Sequence, residues 1–324
     1  DFGPKRLVLM ERSENALFEI DRRLGRRLPS VERRAVLHDV VDRDRTRRIL
    51  EQERPDVVFH AAAHKHVPLM EDHPAHAIAN NFQGTRSIVD ASLAAGASHF
   101  VLISTDKAVQ PTSVMGATKR LAEFYVHMRQ APGTKFAIVR FGNVIGSAGS
   151  VLPIWAQQIA EGGPLTITDS RMTRYFMTIP EAASLVMQAA SMATEEPAVF
   201  VLDMGDPISI ADLARRLVRA CGCTPVDRRA TPDSGEIEIA VTGIRPGEKL
   251  HEALSYEEEH LLPTDHPSIR VHRDAMLKLP DFASLAADLE MLGPESSRAR
   301  VLEVLTRHVP GARLGQQEPG ADRS

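Results

Sequence analysis

The chain of 324 residues is long enough for a substantial core and one or two domains, and its 43% apolar and 25% charged residues are ordinary for a soluble globular protein. Its net charge of −4 provides no electrostatic footprint for nucleic acid, which excludes nucleic acid as a predicted partner. The two cysteines, Cys221 and Cys223, suit neither a disulfide framework nor a four-ligand zinc site, so we predict reduced thiols, no metal and a cytoplasmic location.

No run approaches the roughly 18 apolar residues that a membrane helix needs, and no apolar signal segment follows the N-terminus. The sequence starts at Asp1 without an initiator Met, so we interpret it as a fragment. A membrane would then be reached only through an upstream segment, which would place the protein at the cytoplasmic face of the inner membrane.

Short apolar runs alternate with longer amphipathic stretches. The runs are rich in Val, Ile, Leu and Phe and barely alternate with polar residues, which is typical of strands buried on both faces of a parallel sheet. They cover residues 6–10, 35–37, 57–61, 100–103, 136–139 and 199–202. Helices are predicted over residues 80–95, 116–129, 181–192 and 210–221. This alternation predicts an α/β fold with a Rossmann-like doubly wound parallel sheet.

The alternation loosens after about residue 145, where Pro and Gly punctuate the sequence more often. We therefore predict a dinucleotide-binding domain over residues 1–145 and a smaller substrate lobe over residues 146–310, interleaved with the last strands of the sheet. Residues 311–324 are polar and rich in Gly, which predicts a disordered tail.

The usual opening of a dinucleotide-binding sheet is absent from the sequence. Such a sheet starts with a strand, a Gly-rich turn that approaches the pyrophosphate, and a helix. No G-x-G-x-x-G is found, and residues 6–21 resemble the second strand and helix of such a fold. We therefore predict that the first βα unit is missing from this chain.

The end of the first predicted strand carries a candidate cofactor contact. An acidic residue there can bind the adenosine ribose hydroxyls, and a following Arg can accept a 2′-phosphate. Glu11 and Arg12 offer both options, so NAD and NADP remain open as cofactors. The alternative is a charged strand end that binds no ligand.

The other predicted cofactor contacts also follow apolar runs. Asp39 and Val40 are placed to meet the adenine ring, and small residues after the third run would let the cofactor approach the backbone. The full set comprises Glu11, Arg12, Ser13, Asp39, Val40, Ala61, Ala62 and Ala63.

Six fragments that occur together and in order resemble one known family. They are VVFHAAAHKHVPLME (57–71), NNFQGT (80–85), STDKAVQPTSVMGATKR (104–120), RFGNVIGSAGSVLP (140–153), MTRYFMTIPEA (172–182) and RPGEKLHEAL (245–254). Over about residues 6–270 the chain resembles the polysaccharide-biosynthesis (CapD-like) branch of the extended short-chain dehydrogenase/reductase superfamily, the nucleoside-diphosphate-sugar 4,6-dehydratases. It looks most like the large, membrane-anchored UDP-N-acetylglucosamine 4,6-dehydratases.

This resemblance implies a lyase that acts on a UDP-sugar with NAD or NADP, and a possible homo-oligomer. In the family reaction, hydride leaves sugar C4 for the nicotinamide, water is eliminated across C5 and C6, and the hydride returns to C6. The elimination needs a base for the C5 proton and an acid for the C6 hydroxyl.

Asp106 and Lys107 directly follow a predicted strand, at the sheet edge where ligands bind in open α/β folds. We assign Asp106 as the acid at the C6 oxygen, Lys107 as the base at C5, and Thr105 as a hydrogen-bond donor to the reacting sugar oxygen. The base role requires that desolvation or a neighbouring cation lowers the pKa of Lys107. The alternative is that Asp106 and Lys107 belong to a solvated turn.

Lys119 follows Met115 by four residues, hence on one helical face. The wider superfamily has Tyr and Lys at these positions, where Lys holds the nicotinamide ribose, and we expect this role for Lys119. Met has no titratable group, so the C4 hydroxyl proton must go elsewhere, and Asp106 with Thr105 is the nearest candidate. Met115 either packs beside the sugar or fills the core.

The predicted substrate contacts are mostly cationic or amide side chains. Lys65 and His66 would face the diphosphate or the sugar, while Asn143, Arg174 and Arg245 would face the nucleotide end, because Arg matches phosphate oxygens bidentately. Glu248 would hold Arg245 or a ribose hydroxyl.

Several of these residues also have structural interpretations. His64 and His66 could be ordinary loop histidines, and Arg174 could form a structural ion pair. Asn81 is expected to stabilise the active-site loop rather than touch substrate.

Two other functions remain open from the sequence. A UDP-sugar C4 epimerase would share the fold, although epimerisation needs no acid–base pair at C5 and C6. A non-catalytic sugar-nucleotide-binding remnant would explain the absent Gly-rich turn.

Overall fold

The computed structural model describes residues 3–147, 149–227, 235–273, 280–292 and 296–315. The strands are β1 (Arg6–Glu11), β2 (Glu32–Leu37), β3 (Val57–His60), β4 (His99–Ile103), β5 (Lys135–Arg140), β6 (Asn143–Ile145), β7 (Leu165–Ile167), β8 (Thr173–Arg174), β9 (Phe176–Thr178), β10 (Ala198–Leu202), β11 (Ile208–Ser209), β12 (Thr224–Asp227), β13 (Glu236–Val241), β14 (Leu262–Pro263) and β15 (Ile269–His272).

The α-helices are α1 (Glu14–Arg27), α2 (Arg43–Glu53), α3 (Val67–Asp72), α4 (Pro74–Ala77), α5 (Gly84–Ala94), α6 (Val114–Met128), α7 (Val151–Ala160), α8 (Ile179–Ser191), α9 (Ile210–Ala220), α10 (Phe282–Glu290) and α11 (Arg298–His308). A π-helical turn covers Ile78–Gln83, and a 3₁₀ turn covers Asp106–Ala108. None of the helices in the described part of the chain has both the length and the apolar composition that a membrane crossing needs.

The central sheet has six strands in the order β14-β15-β10-β5-β4-β3. Strands β3, β4, β5 and β10 run parallel, and β15 and β14 add an antiparallel edge. All six predicted apolar runs lie on strands. The prediction of an α/β, Rossmann-like parallel sheet is confirmed.

Two apolar clusters cover the two faces of the sheet, which explains the unbroken apolar runs. In β4, Phe100 and Leu102 face the helices α3 to α6, α10 and α11, whereas Val101 faces α8. In β5, Phe136 and Ile138 share the first face. Because side chains alternate along a strand and both faces are covered, every position of these strands favours an apolar residue.

A smaller lobe has its own core around Trp155, where α7 and α9 pack on the parallel strands β7, β13 and β12. This lobe lies within the predicted segment 146–310. Helices α10 and α11 also belong to that segment, yet they pack on the core of the central sheet. Residues 311–315 begin the predicted disordered tail, and here Ala312 and Leu314 contact that core; residues 316–324 lie outside the described part.

Strands β1 and β2 pair in parallel with each other but form a separate sheet. No residue of β1 is fully buried, and Val57 and Phe59 of β3 are about two-fifths exposed, at 43% and 42%. Side chains connect the two sheets at both ends. Arg6 donates to the Glu53 carbonyl before β3, and Arg12 contacts His64 after β3. The β1–β2 pair therefore flanks β3 without being hydrogen-bonded to it.

Two helix starts differ from the sequence prediction. Helix α6 begins at Val114 rather than residue 116, because the Ser113 hydroxyl caps it by accepting from the Gly116 amide. The helix predicted from residue 80 begins as the π-helical turn Ile78–Gln83, which turns both Asn80 and Asn81 into the interior.

Candidate active site

A short turn at the carboxyl end of β4 carries the predicted acid and base. We call residues 105–108 the strand-end turn. Thr105 caps its single 3₁₀ turn, and the Asp106 amide donates to the Phe141 carbonyl at 3.1 Å, which continues the sheet pairing past β5. The turn is therefore held at the edge where ligands approach parallel sheets.

Asp106 is completely buried. Its Oδ1 accepts from the Thr105 hydroxyl at 2.8 Å, the Lys107 amide at 2.9 Å and Lys107 Nζ at 3.0 Å. Its Oδ2 is buried and has no hydrogen-bond partner among the residues that the structure describes. A buried carboxylate oxygen without a partner is costly, so this oxygen is suited to accept a hydrogen bond from a ligand hydroxyl.

Lys107 does not have the lowered pKa that the sequence led us to expect. Burial would lower it, but attraction from Asp106 and then from Glu252, with the hydrogen bond to Asp106, raises the pKa of Lys107 above its ordinary value. The prediction of a lowered pKa is wrong because two carboxylates surround this amine. In this state Lys107 is an ammonium group paired with Asp106.

Asn143 lies beside the acid–base pair rather than alone at the nucleotide end. Its Oδ1 accepts from Lys107 Nζ at 3.2 Å. Gly142, the residue before it, lies against Tyr175 and the free oxygen of Asp106, and a Cβ added to Gly142 would lie 2.8 Å from the Cβ of Tyr175. The absence of a side chain at residue 142 therefore lets Tyr175 pack close to Gly142, next to Asp106 Oδ2.

Helix α6 packs its first turn directly onto the strand-end turn. A Cβ added to Gly116 would collide with the Lys107 carbonyl oxygen, so the close approach requires Gly. Met115 is buried in the core, as one of its two interpretations predicted. Lys119 Nζ donates to the Ile103 carbonyl at 2.6 Å, which is the last residue of β4.

Lys119, in contrast to Lys107, has a lowered pKa. Burial lowers it to about 8, although attraction from Glu123 raises it. Lys119 is also near His60, and burial followed by repulsion from Lys119 lowers the pKa of His60 to about 3. His60 is thus neutral at physiological pH, and its Nε2 is hydrogen-bonded to the Thr85 hydroxyl at 2.9 Å.

A cavity of about 610 Å³ lies where the sequence predicted the adenosine end of a cofactor. Its lining side chains come from the ends of β1 and β2 and from the start of α2: Arg12, Ser13, Leu37, His38, Asp39 and Arg45. Val40 is a correction, since its side chain is buried in the core and does not line the cavity. Glu11 lies next to the cavity, where its carboxylate accepts from the Ser13 amide at 2.8 Å.

The loop after β3 lies next to this cavity through a contact with Arg12, one of the residues that line it. Ala61 and Ala62 are exposed and Ala63 is half-buried, so the backbone is accessible there. Arg12 reaches across to His64 at 3.2 Å and lies 3.6 Å from Asp39. Arg12 therefore connects the ends of β1 and β2 to the loop after β3.

Asn81 holds this loop, as predicted. Its amide group donates to the His64 carbonyl and the Thr118 hydroxyl, and its oxygen accepts from the His64 amide at 2.7 Å. Further along the loop, Lys65 Nζ lies 3.3 Å from the Ser147 hydroxyl. Burial lowers the pKa of Lys65, and burial followed by Lys65 lowers the pKa of His66.

The two predicted diphosphate arginines have different environments. Arg174 is buried, and its guanidinium donates to the carbonyls of Thr173, Lys249 and Leu250 rather than to a carboxylate. Arg245 is exposed and donates to Glu248 Oε1 at 2.7 Å, which is the pairing expected from the sequence. Arg245 is therefore the accessible cation of the two.

The structure brings Thr105, Asp106, Lys107 and Asn143 into direct contact and adds Glu252, whose effect on Lys107 the sequence did not reveal. Glu252 lies in the fragment RPGEKLHEAL, so its membership of a family fragment was the available signal. No group of three or more His, Cys, Asp or Glu side chains in the described ranges is arranged to hold a metal ion.

The family profile described as "Polysaccharide biosynthesis protein" matches residues 1–274. The chain belongs to this family. The capsular polysaccharide biosynthesis protein CapD of Staphylococcus aureus is 46% identical over 94% of this chain and 49% of CapD. UDP-N-acetylglucosamine 4,6-dehydratase (inverting) of Campylobacter jejuni is 31% identical over 81% of this chain and 73% of that protein.

Among solved structures, Pen from Bacillus thuringiensis superposes with a TM-score of 0.74 and 30% identity, covering 85% of this chain and 82% of Pen. The resemblance to the CapD-like branch is thus confirmed for the family and the fold. The chain spans about half the length of the polysaccharide biosynthesis relatives that it matches over 94% of its own length.

Proposed function

We propose that the protein dehydrates a UDP-sugar, with UDP-N-acetylglucosamine as the first candidate, to a 4-keto-6-deoxy sugar nucleotide for polysaccharide synthesis. The observation that carries this proposal is the ion pair between the buried Asp106 and the half-buried Lys107, with Asp106 Oδ2 unpartnered at the ligand edge of the sheet. The similarity to a UDP-N-acetylglucosamine 4,6-dehydratase supports the same reaction.

The residues that would hold NAD or NADP fit such a cofactor. The cavity by β1 and β2 offers Arg12, Ser13 and Asp39 for the adenosine ribose or a 2′-phosphate. Lys119, which donates to the Ile103 carbonyl at the end of β4, would hold the nicotinamide ribose. When bound, the nicotinamide would accept a hydride from sugar C4 and return it to C6.

Asp106 would transfer one proton in two steps. Its free Oδ2 first accepts the proton of the C4 hydroxyl, which leaves a neutral acid. The acid then gives this proton to the C6 hydroxyl, which departs as water. The two transfers balance, because the water that is lost contains the C4 hydroxyl proton and the C6 hydroxyl.

Lys107 would become a base only after Asp106 is protonated. Attraction from Asp106 is the main reason that the pKa of Lys107 is raised. Neutralising Asp106 removes that attraction, so burial then favours loss of the Lys107 proton to solvent. The neutral amine can take the C5 proton during elimination and return it to C5 when C6 is reduced.

The proposal is tested by incubating the protein with UDP-N-acetylglucosamine and either NAD or NADP, and analysing the products by mass spectrometry and NMR. The chain described here and the complete product of its gene are assayed separately. We expect a 4-keto-6-deoxy product that has lost the mass of one water from at least one of them.

A product of unchanged mass with inverted C4 would instead identify an epimerase. Binding of the sugar nucleotide without any product in either assay would identify a non-catalytic binding protein. Asp106→Asn is the matched variant, and a rate equal to that of the wild type would contradict the assignment of Asp106.

A further inference from the structure

Four buried charged side chains lie behind the strand-end turn, and we call Arg120, Glu123, Arg140 and Glu259 the buried ion network. Arg140 donates to Glu123 Oε1 at 2.7 Å and to Glu259 Oε2 at 2.7 Å, and Arg120 donates to Glu123 Oε2 at 2.8 Å. Burial alone would raise the pKa of Glu123, but Arg140 and then Arg120 lower it to about 2, so the charged form persists.

Such a network is a poor way to gain stability. The cost of removing charges from water is often as large as their attraction, and apolar replacements of equal volume are frequently as stable or more so. Because stability alone does not explain the network, the parts of the chain that it holds in place indicate its role.

The network is attached to both ends of the strand-end turn. On the side before the turn, the Ser104 hydroxyl donates to Glu123 Oε1 at 2.6 Å. On the side after it, the Tyr256 hydroxyl donates to the Ala108 carbonyl at 3.3 Å. Tyr256 is itself fixed, because its amide donates to Glu259 Oε2 at 3.1 Å and its ring lies against the Arg120 guanidinium at 4.7 Å.

The segment that carries Tyr256 wraps around the turn. Lys249 Nζ donates to the Val109 carbonyl at 2.8 Å, and Glu252 lies near Lys107 and raises its pKa. Glu259 then ties the far end of this segment to Arg140 at the end of β5. The segment and the central sheet thus meet at the network.

We propose that the buried ion network positions the acid and the base: it fixes Ser104 and Ala108, and so sets where Asp106 Oδ2 and Lys107 Nζ lie. Tyr256 and Glu259 are positioning residues that act through the turn and touch no substrate. The catalytic consequence rests on the proposed function, since a displacement of about 1 Å in reacting groups can reduce a rate roughly 10²-fold.

Two variants each remove one hydrogen bond that attaches the strand-end turn to the buried ion network. Tyr256→Phe removes only the hydroxyl that bonds Ala108, and Ser104→Ala removes only the hydroxyl that bonds Glu123. Their matched controls remove equivalent hydroxyl bonds elsewhere. Tyr125→Phe loses a bond to Asp90 at 2.7 Å, and Ser92→Ala loses a bond to the Ile88 carbonyl at 2.6 Å.

Hydrogen–deuterium exchange of the full chain gives a readout that requires no activity. The reporting amides are those of residues 106–109, which bond within the turn or to Phe141. We expect both variants to exchange these amides about tenfold faster than the wild type, and both controls to exchange them at the wild-type rate. Unchanged exchange in both variants would overturn the proposal.

Dehydration kinetics give the second readout. We expect kcat to fall about 10- to 100-fold in each variant, with KM within about twofold of the wild type, because binding groups remain in place. Faster exchange with an unchanged kcat would overturn the positioning role. If no protein, wild type included, dehydrates the sugar, the proposed function fails, and the exchange result alone decides whether the network holds the turn.

Discussion

At the scale of single residues, the protonation state of Lys107 distinguishes a catalytic base from the ammonium partner of a structural ion pair. Lys107 Nζ lies 3.0 Å from Asp106 Oδ1. Burial lowers the pKa of Lys107, but attraction from Asp106 is the main effect that raises it above its ordinary value. Changing the charge of Asp106 should therefore change the titration of Lys107 more than any other single substitution.

Asp106→Asn should lower the pKa of Lys107 relative to its pKa in the wild-type protein. Burial and repulsion from Arg174 lower this pKa, and in the variant only attraction from Glu252 still raises it. The measurement is the pH dependence of the ¹³C-methyl NMR signal of reductively methylated lysines. Glu248→Gln, which removes a carboxylate paired with Arg245, serves as the control and should leave the Lys107 titration in place. A Lys107 pKa that stays as high in Asp106→Asn as in the wild type would refute this account.

His60 should make the protein sensitive to moderate acid. Its pKa of about 3 in the folded state lies below the ordinary value of 6.5, so the unfolded state binds more protons between these limits. The resulting stability is complete above pH 6.5 and is lost as the pH falls toward 3, by roughly 5 kcal/mol at most.

His60→Gln should therefore have a flatter dependence of Tm on pH between 6.5 and 4 than the wild type, as measured by thermal unfolding. The exposed His260 provides the control, and His260→Gln should keep the wild-type slope. Equal slopes for His60→Gln and the wild type would show that His60 is not held neutral.

The sequence predicted that Asp106 and Lys107 lie at a strand end, but it did not predict that the pKa of Lys107 is raised. Their proposed roles came from the resemblance to a known family, and their location after an apolar run is a local property of the sequence. The pKa of Lys107 depends on Glu252, which is far away in the chain, and no local pattern reports that contact. The same reason applies to Val40, whose burial depends on helices that pack on it from other parts of the chain.

At the scale of elements, the contact between α6 and the strand-end turn determines how close the helix comes to Lys107. Gly116 permits that contact because an added Cβ would meet the Lys107 carbonyl, a backbone atom that cannot rotate away. The helix and the turn must then separate, or the backbone must shift.

Gly116→Ala should lower the free energy of unfolding by about 1–3 kcal/mol, although Ala is the better helix former. Gly25→Ala in α1 is the matched control, because the added Cβ there meets the tip of the Arg33 side chain, and its stability should stay within about 1 kcal/mol of the wild type. Denaturant unfolding measures both. A Gly116→Ala protein as stable as Gly25→Ala would contradict the packing described here.

Strands with a continuous apolar run could be predicted from the sequence, whereas two-residue strands could not. The strands β4, β5 and β10 are apolar on both faces, which the sequence shows directly. The two-residue strands β8, β11 and β14 depend on pairing with distant partners, so no local pattern marks them. The π-helical turn Ile78–Gln83 was likewise hidden inside an ordinary helical pattern.

At the scale of the whole molecule, three parts of the structure contribute residues to the candidate site. The central sheet supplies Asp106, Lys107 and Lys119, the β1–β2 pair supplies most of the cavity lining, and the segment around Glu252 and Tyr256 covers the strand-end turn. Lys65 Nζ lies 3.3 Å from the Ser147 hydroxyl, which brings the loop after β3 close to the residues after β6. The sequence predicted the central sheet but placed β1 and β2 in it, whereas the structure pairs these two strands in a separate sheet and adds the segment that wraps around the turn.

The most direct test of the proposed dehydration follows one hydrogen atom of the sugar. The complete gene product is incubated with its cofactor and with UDP-N-acetylglucosamine deuterated at C4, and the product is analysed by mass spectrometry and NMR. We predict that the product has lost one water and carries the deuterium at C6. Deuterium that remains at C4, in a sugar that has kept its C6 hydroxyl, would contradict dehydration at the Asp106–Lys107 pair.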